Sequence, residues 1–178
     1  MKKAHTPDRH IKRMESSSEG ASLSEIERVY KDRLPHFRRV ATAIVGNRDA
    51  GCDAVQEGFA TAVRKRESFR REGSLEAWIW RIVVNAARDQ LGRRRDALEP
   101  SPDNSASTNG TQDDESARVR VALSLLPERQ RLALFLRYYA DLDYRTISDA
   151  LEIAVGTVGV TLHSAHANLR RLLEEVPR

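Results

Sequence analysis

Residues 143–173 read DYRTISDALEIAVGTVGVTLHSAHANLRRLL, and their spacing decides the fold class. Asp143 is suited to cap a short helix over 144–151, because its carboxylate can accept the orphaned N–H groups of a first turn. Ile147 and Leu151, four apart, share the inner face of that helix. Residues 152–155 form a tight turn packed by Ile153 and Val155. Val158, Leu162, Ala165, Leu169 and Leu172 then recur every three or four residues, predicting a helix from about Gly156 to Leu173. A short helix, a tight turn and a longer helix make the helix-turn-helix pattern, whose second helix enters the DNA major groove. Setting aside the apolar stripe leaves Thr157, Gly159, Val160, Thr161 and Ser164 facing outward. A helical hairpin inside a bundle has the same pattern, so spacing alone leaves both readings open.

Upstream the helical period continues. A helix is predicted from about 115 to Leu126, and Pro127 is placed to start another, to about Tyr139. Before them, DALEPSPDNSASTNGTQDDE (96–115) has two prolines, small polar residues and no apolar period, the composition of a linker. Residues 75–95 predict a helix capped by Ser74, with Glu76 in its first turn. Leu75, Ile79, Ile82, Val83 and Ala86 form one face. Trp78, Arg81, Asn85, Arg88 and Arg95 form the other. A loop, ESFRREG (67–73), precedes it. A helix over about 50–66 has Cys52, Val55, Phe59, Ala62 and Val63 as its expected buried stripe, with Asn47 or Asp49 as cap. The first helix opens at a capping box, Ser24 with Glu27, is kinked or split by Pro35, and ends at Gly46. Residues 1–23 are expected to be a disordered tail.

The chain has 178 residues, 40% hydrophobic and 31% charged, enough for one medium domain or two small ones. Aromatics are only 6%, and no strand signal appears. The fold class is therefore all-α, with two small helical domains, 24–95 and 117–178, joined by an acidic flexible linker, 96–116. Charge follows that division. Residues 24–95 carry sixteen basic and ten acidic groups, the linker six acids and no Lys or Arg, and residues 117–178 nine basic and seven acidic groups. No stretch approaches the ~18–20 apolar residues of a membrane span, and no apolar run follows the N-terminal charges, so a cytoplasmic protein is expected.

An enzyme is not expected. His5, His10 and His36 lack ligand-spaced partners, and His163 and His166 have no further ligand to complete a metal site. There is no phosphate-cradling glycine loop and no GxSxG. The single cysteine, Cys52, falls on the apolar side of its helix and excludes a disulfide framework. No cofactor is implied. Nucleic-acid chemistry has better candidates. Phe69, Arg70 and Arg71 sit together in a loop, and Arg81, Asn85 and Arg88 line one helical face. Flat side chains stack on bases, arginines hold phosphates, and Asn pairs with base edges. A solvated face with Trp78 and Trp80 packed in the core accounts for the same residues. Asp53, Gln56 and Glu57, in DAVQEGF (53–59), form an exposed patch suited to a basic partner.

The order of these features resembles that of bacterial sigma factors of the extracytoplasmic-function type. DAVQEGF and SFRREGSLEAWIWRIVVNAARDQLGRRR (68–95) are similar to their region 2, and residues from about Leu123 to Leu173 to their region 4. The resemblance implies a factor that directs core RNA polymerase to promoters. Asp53, Gln56 and Glu57 would bind the β′ clamp helices. The Phe69–Ser74 loop, with Arg70 and Arg71, and the helix bearing Arg81, Asn85 and Arg88 would open the −10 element and capture a flipped base. Region 4 would dock on the β flap and read the −35 element through Arg145, Thr157, Val160, Thr161 and Ser164. The linker would thread toward the RNA exit path. An anti-sigma factor is a candidate further partner.

Two departures stand out. The family usually reads close to GTVKSRLHRAR at the recognition helix, whereas residues 156–166 read GTVGVTLHSAH. Gly159, Thr161, Ser164 and His166 thus stand at positions usually basic. The loss of about four phosphate contacts would lower the salt slope by ~3–4. Hence the alternative of a sigma-like regulator that binds polymerase but no longer reads −35 DNA. Cys52 stands where an acidic residue usually precedes the Asp.

Overall fold

The computed structural model describes residues 20–97 and 113–175. Within them the chain forms seven α-helices and no strand. Helix α1 spans Leu23–Val45, α2 Arg48–Arg64 and α3 Leu75–Ala97, with a 3-10 turn over Arg66–Ser68. Then follow α4 (Asp113–Leu125), α5 (Glu128–Tyr138), α6 (Tyr144–Leu151) and α7 (Val155–Glu175). No helix among the described residues is long and apolar enough to cross a membrane. Most of the expected tail and linker lies outside the described residues. Residues 20–23, however, belong to the fold: the Ala21 N–H donates to the Arg66 carbonyl at 2.8 Å, and Gly20 and Ala21 are buried. Residues 113–116 are already helical.

Local chemistry explains the helix ends. SLSEIE holds two overlapping Ser-x-x-Glu boxes, and the chain uses the earlier one, Ser22 with Glu25, rather than Ser24 with Glu27. The Ala21 anchor fixes the chain just before Ser22, and starting there buries Ile26 in the first turn. Pro35 does not split α1. It is exposed on the outer face while Phe37, Val40, Ala41 and Ile44 are buried beyond it, and that packing outweighs the ~3 kcal/mol penalty of an interior proline. Gly46 ends α1 in the left-handed region, at φ 73°. The Asn47 side chain accepts from Ala50, that of Ser74 from Ala77 and that of Asp143 from Thr146, at 3.0, 3.0 and 2.7 Å. Pro127 directly precedes α5.

The first unit packs α1, α2 and α3 around fully buried Trp80. Phe37 stacks on Trp80 at 3.9 Å between centroids and meets Phe59 edge-on at 5.0 Å. The buried face of α2 is Ala50, Gly51, Ala54, Val55, Gly58, Phe59 and Ala62. Val55, Phe59 and Ala62 are buried as expected, but Cys52 is only half-buried and Val63 is exposed, and the buried face extends instead to Ala50, Gly51, Ala54 and Gly58. Small residues, not large ones, make the crossing: a Cβ on Gly51 would lie 2.7 Å from the Thr42 backbone nitrogen, and one on Gly58 2.7 Å from Val83 Cγ2. In the second unit, α5, α6 and α7 close over Leu132, Leu136, Ile147, Val158 and Leu162, and α4 packs on α7.

The two units pack against each other. Helix α6 lies on α3, and α5 touches α1. Arg33 bridges them, donating from Nε to Glu76 at 2.7 Å and from a terminal nitrogen to the Ala140 carbonyl at 3.2 Å.

Candidate nucleic-acid interface

The face of α3 is set by its heptad geometry. Ile79, Val83 and Ala86 point into the first unit, so residues a turn apart on the far side face away. Asn85 and Arg88 are exposed there, and Arg81 is half-buried. Arg88 donates weakly to the Asn85 amide oxygen at 3.4 Å, holding the two together. Just beyond the N-terminus of α3 is a hollow of about 430 Å³, walled by Phe69, Arg70, Gly73, Ser74, Trp78 and Arg81 on the α3 side. Sequence reasoning left Trp78 divided between core and outer face. It is half-buried and lines this hollow.

Phe69 does not have the exposure expected of a stacking platform. It is only 5% exposed, lies 5.5 Å from the Trp78 ring, and has the Arg71 guanidinium 6.0 Å from its own centroid. The loop is too short to carry an aromatic ring into water when a core lies beneath it, so the ring turns inward and the cations remain outside. Arg70 is exposed. Arg71 adopts φ 57° and makes two hydrogen bonds of 3.2 Å to the Glu25 carboxylate. Glu25 also accepts from the Ser22 N–H. That backbone bond, then Arg71, then the Ser22 hydroxyl hold the Glu25 carboxyl down at about 2.

Two cations of this face are paired with acids of the second unit, which sequence reasoning did not anticipate. Arg81 meets Glu152 at 2.7 Å, and Arg88 meets Glu128 at 2.7 and 3.0 Å. No sequence period reports a contact between residues forty or seventy positions apart.

On the recognition-type helix α7, Thr157 and Val160 are exposed, Val160 at 67%. Ser164 is half-buried and Arg145, on α6, is exposed. Thr161 is not outward: it is 9% exposed. It lies three residues after Val158 and four before Ala165, so it joins the stripe that buries Val158, Leu162 and Ala165. Tyr144, 44% exposed, stands beside Gly159 and was not singled out by sequence. His166 pairs with the Tyr138 hydroxyl at 2.9 Å. The Thr146 N–H, the largest cause, draws the Asp143 carboxyl below the usual carboxylate range.

On α2, Asp53, Gln56 and Glu57 are all exposed on one turn, with Glu57 paired to Arg93 at 3.1 Å. No group of three His, Cys, Asp or Glu side chains among the described residues is placed to hold a metal ion.

Residues 29–97 match the family model of sigma-70 region 2, and residues 116–169 match that of sigma-70 region 4. The chain is 31% identical over 145 residues to the ECF RNA polymerase sigma factor EcfG of Rhodopseudomonas palustris, covering 79% of this chain and 80% of that one. It is 25% identical over 189 residues to the ECF RNA polymerase sigma factor SigW of Bacillus subtilis, covering 94% and 97%. The fold is that of the sigma factor RpoE from Bartonella quintana, solved with the anti-sigma factor NepR. The TM-score is 0.64 at 24% identity, over 88% of this chain and 100% of that one. With both sigma-70 regions present in order and a relative matched over four-fifths of its length, the chain belongs to the extracytoplasmic-function family of sigma factors, which direct RNA polymerase to promoters.

Proposed function

We propose how this chain divides the work of a sigma factor. Residues 24–95 and 117–178 act as separate grips. The α3 face receives the displaced −10 strand: Arg81 and Arg88 hold phosphates, Asn85 reads a base edge, and Arg70 and Arg71 attract the strand to the loop. The hollow at the start of α3 takes an unstacked base, with Trp78 as the ring that meets it and Phe69 as the wall behind. Asp53, Gln56 and Glu57 dock the β′ clamp helices. Region 4 sits on the β flap, and Arg145, Thr157, Val160 and Ser164 face the −35 duplex while Thr161 holds α7 in place. The protein works beside polymerase in the cytoplasm, has no catalytic activity of its own, and is open to an anti-sigma partner.

One observation carries this reading. An exposed amide, Asn85, sits beside arginines on a helical face that also borders a hollow of about 430 Å³, closed on its far side by α6 and the turn after it. The test is anisotropy of a labelled −10 single strand bound to holoenzyme made with this chain, over a range of salt. Arg81→Ala or Arg88→Ala should weaken every strand alike and lower the salt slope by about one unit. Asn85→Ala should cost about 1–3 kcal/mol and relax preference at one base. Binding unchanged in all three variants would contradict the assignment.

A further inference from the structure

We propose that the start of α1 braces the −10 loop, with Glu25 a positioning residue that acts through Arg71 to set the shape of the hollow beside Phe69 and Trp78; this rests on the −10 reading of that hollow. From Ser68 to Ser74 every residue except Arg71 lines the hollow. Arg71 turns the other way, onto α1. Its backbone adopts a left-handed φ of 57°, which a residue with a Cβ holds only where its neighbours fix it. A fork fixes it here: two guanidinium nitrogens donate to the two Glu25 carboxylate oxygens, each at 3.2 Å. Two parallel bonds set the orientation of a guanidinium as well as its place. From Arg71 the contacts run to the hollow. Its guanidinium lies 6.0 Å from the centroid of the Phe69 ring, and that ring lies 5.5 Å from Trp78.

Glu25 is itself held in place. It accepts from the Ser22 N–H and the Ser22 hydroxyl, both at 2.8 Å, as one half of the capping box. Just before the cap, the same segment is joined to the base of the loop. The Ala21 N–H donates to the Arg66 carbonyl at 2.8 Å. Gly20 lies so close that a Cβ would sit 2.9 Å from the Arg66 carbonyl oxygen and the Glu67 Cα. Residues 20–25 thus grip residues 66–71 at both ends. The Glu25 and Arg71 side chains are 30% and 49% exposed, so their pairing adds little to global stability. What it supplies is a fixed geometry for a short loop whose other residues face the hollow.

The test uses holoenzyme assembled with the full chain and a labelled −10 single strand, either intact or abasic at each position in turn. The ratio of intact to abasic affinity, at the position where it is largest, measures how well the hollow holds a base. Glu25→Gln keeps the cap, because Gln also serves in a capping box, but removes the charge and the fork. Arg71→Lys keeps its charge and removes the fork. Glu27→Gln makes the same charge change two residues along α1, where the partner is Lys31. The ratio should fall roughly three- to tenfold in Glu25→Gln and in Arg71→Lys, and by no more in the double variant, because the two side chains act through each other. It should hold in Glu27→Gln. Salt slope and Tm should stay close to those of the unmodified chain throughout. An unchanged ratio in Glu25→Gln, losses that add in the double variant, or an equal loss in Glu27→Gln overturns the brace. So does a gain in affinity with a steeper salt slope in Glu25→Gln, the result expected if the freed Arg71 grips a phosphate. If the unmodified chain shows no difference between intact and abasic strands at any position, the −10 reading of the hollow fails and the brace with it.

Discussion

Asp143 shows how one residue sets the geometry of a DNA-reading unit. Its carboxylate accepts from the Thr146 N–H at 2.7 Å and starts α6, the helix on which α7 is seated. Asp143→Ala should destabilise the chain by about 1 kcal/mol, read from urea unfolding at about pH 7. The sign of its pH dependence follows from its lowered pKa. The stabilisation is complete above the unfolded value of about 3.9 and is lost as pH falls through the lower folded value. The difference between the two proteins should therefore shrink toward nothing in acid. Glu25 behaves the same way over a wider window, down to about 2. The caps at Asn47, Ser74 and Asp143 were legible in the sequence because each polar side chain precedes an apolar period. The cap of α1 was misplaced by two residues because SLSEIE spells the signal twice and only a distant contact, Ala21 to Arg66, chooses between them. Thr161 was misread because a hydroxyl beside a methyl group suits either face of a helix.

At the scale of elements, the helices pack through small residues as much as large ones. Gly51 lets α2 approach α1 so closely that a Cβ would meet the Thr42 nitrogen and Cα at 2.7 and 2.8 Å. Backbone cannot swing aside as a side chain can, so the helices must part. Gly51→Ala should cost about 2 kcal/mol despite its gain in helix propensity. Gly92, in α3, has nothing within 4 Å of its Cβ position. Gly92→Ala should instead leave stability unchanged or raise it by up to ~1 kcal/mol. Chemical denaturation of the two variants checks both; a similar effect at the two sites would contradict the packing described for α2. Helix number and order were readable from periodicity, and so were Val55, Phe59 and Ala62 in the buried face of α2, but not its small residues Gly51, Ala54 and Gly58. Bulky side chains mark a stripe in sequence, whereas glycine and alanine mark where two backbones meet.

For the whole molecule, sequence pattern indicates two helical units and an acidic connection but not how the units meet. Their contact joins residues far apart in the chain, Arg81 with Glu152 and Arg88 with Glu128, and each of those acids read alone is an ordinary surface residue. That is also why the α3 face was legible as a cationic, amide-bearing surface while its covering was not. The −10 and −35 surfaces differ in strength. Of the α7 residues assigned to the −35 element, Thr157 and Val160 are exposed, Ser164 is half-buried and none is charged. DNA affinity through region 4 should accordingly depend less on salt than affinity through α3.

The most direct test is run-off transcription by core RNA polymerase on a library of random promoter DNA, with and without the full chain, and with Asn85→Ala. The account predicts transcripts that require the added chain, share a −10 element and a more weakly selected −35 element, and fall sharply with Asn85→Ala. Transcripts indifferent to the chain, or undiminished by that substitution, would contradict it.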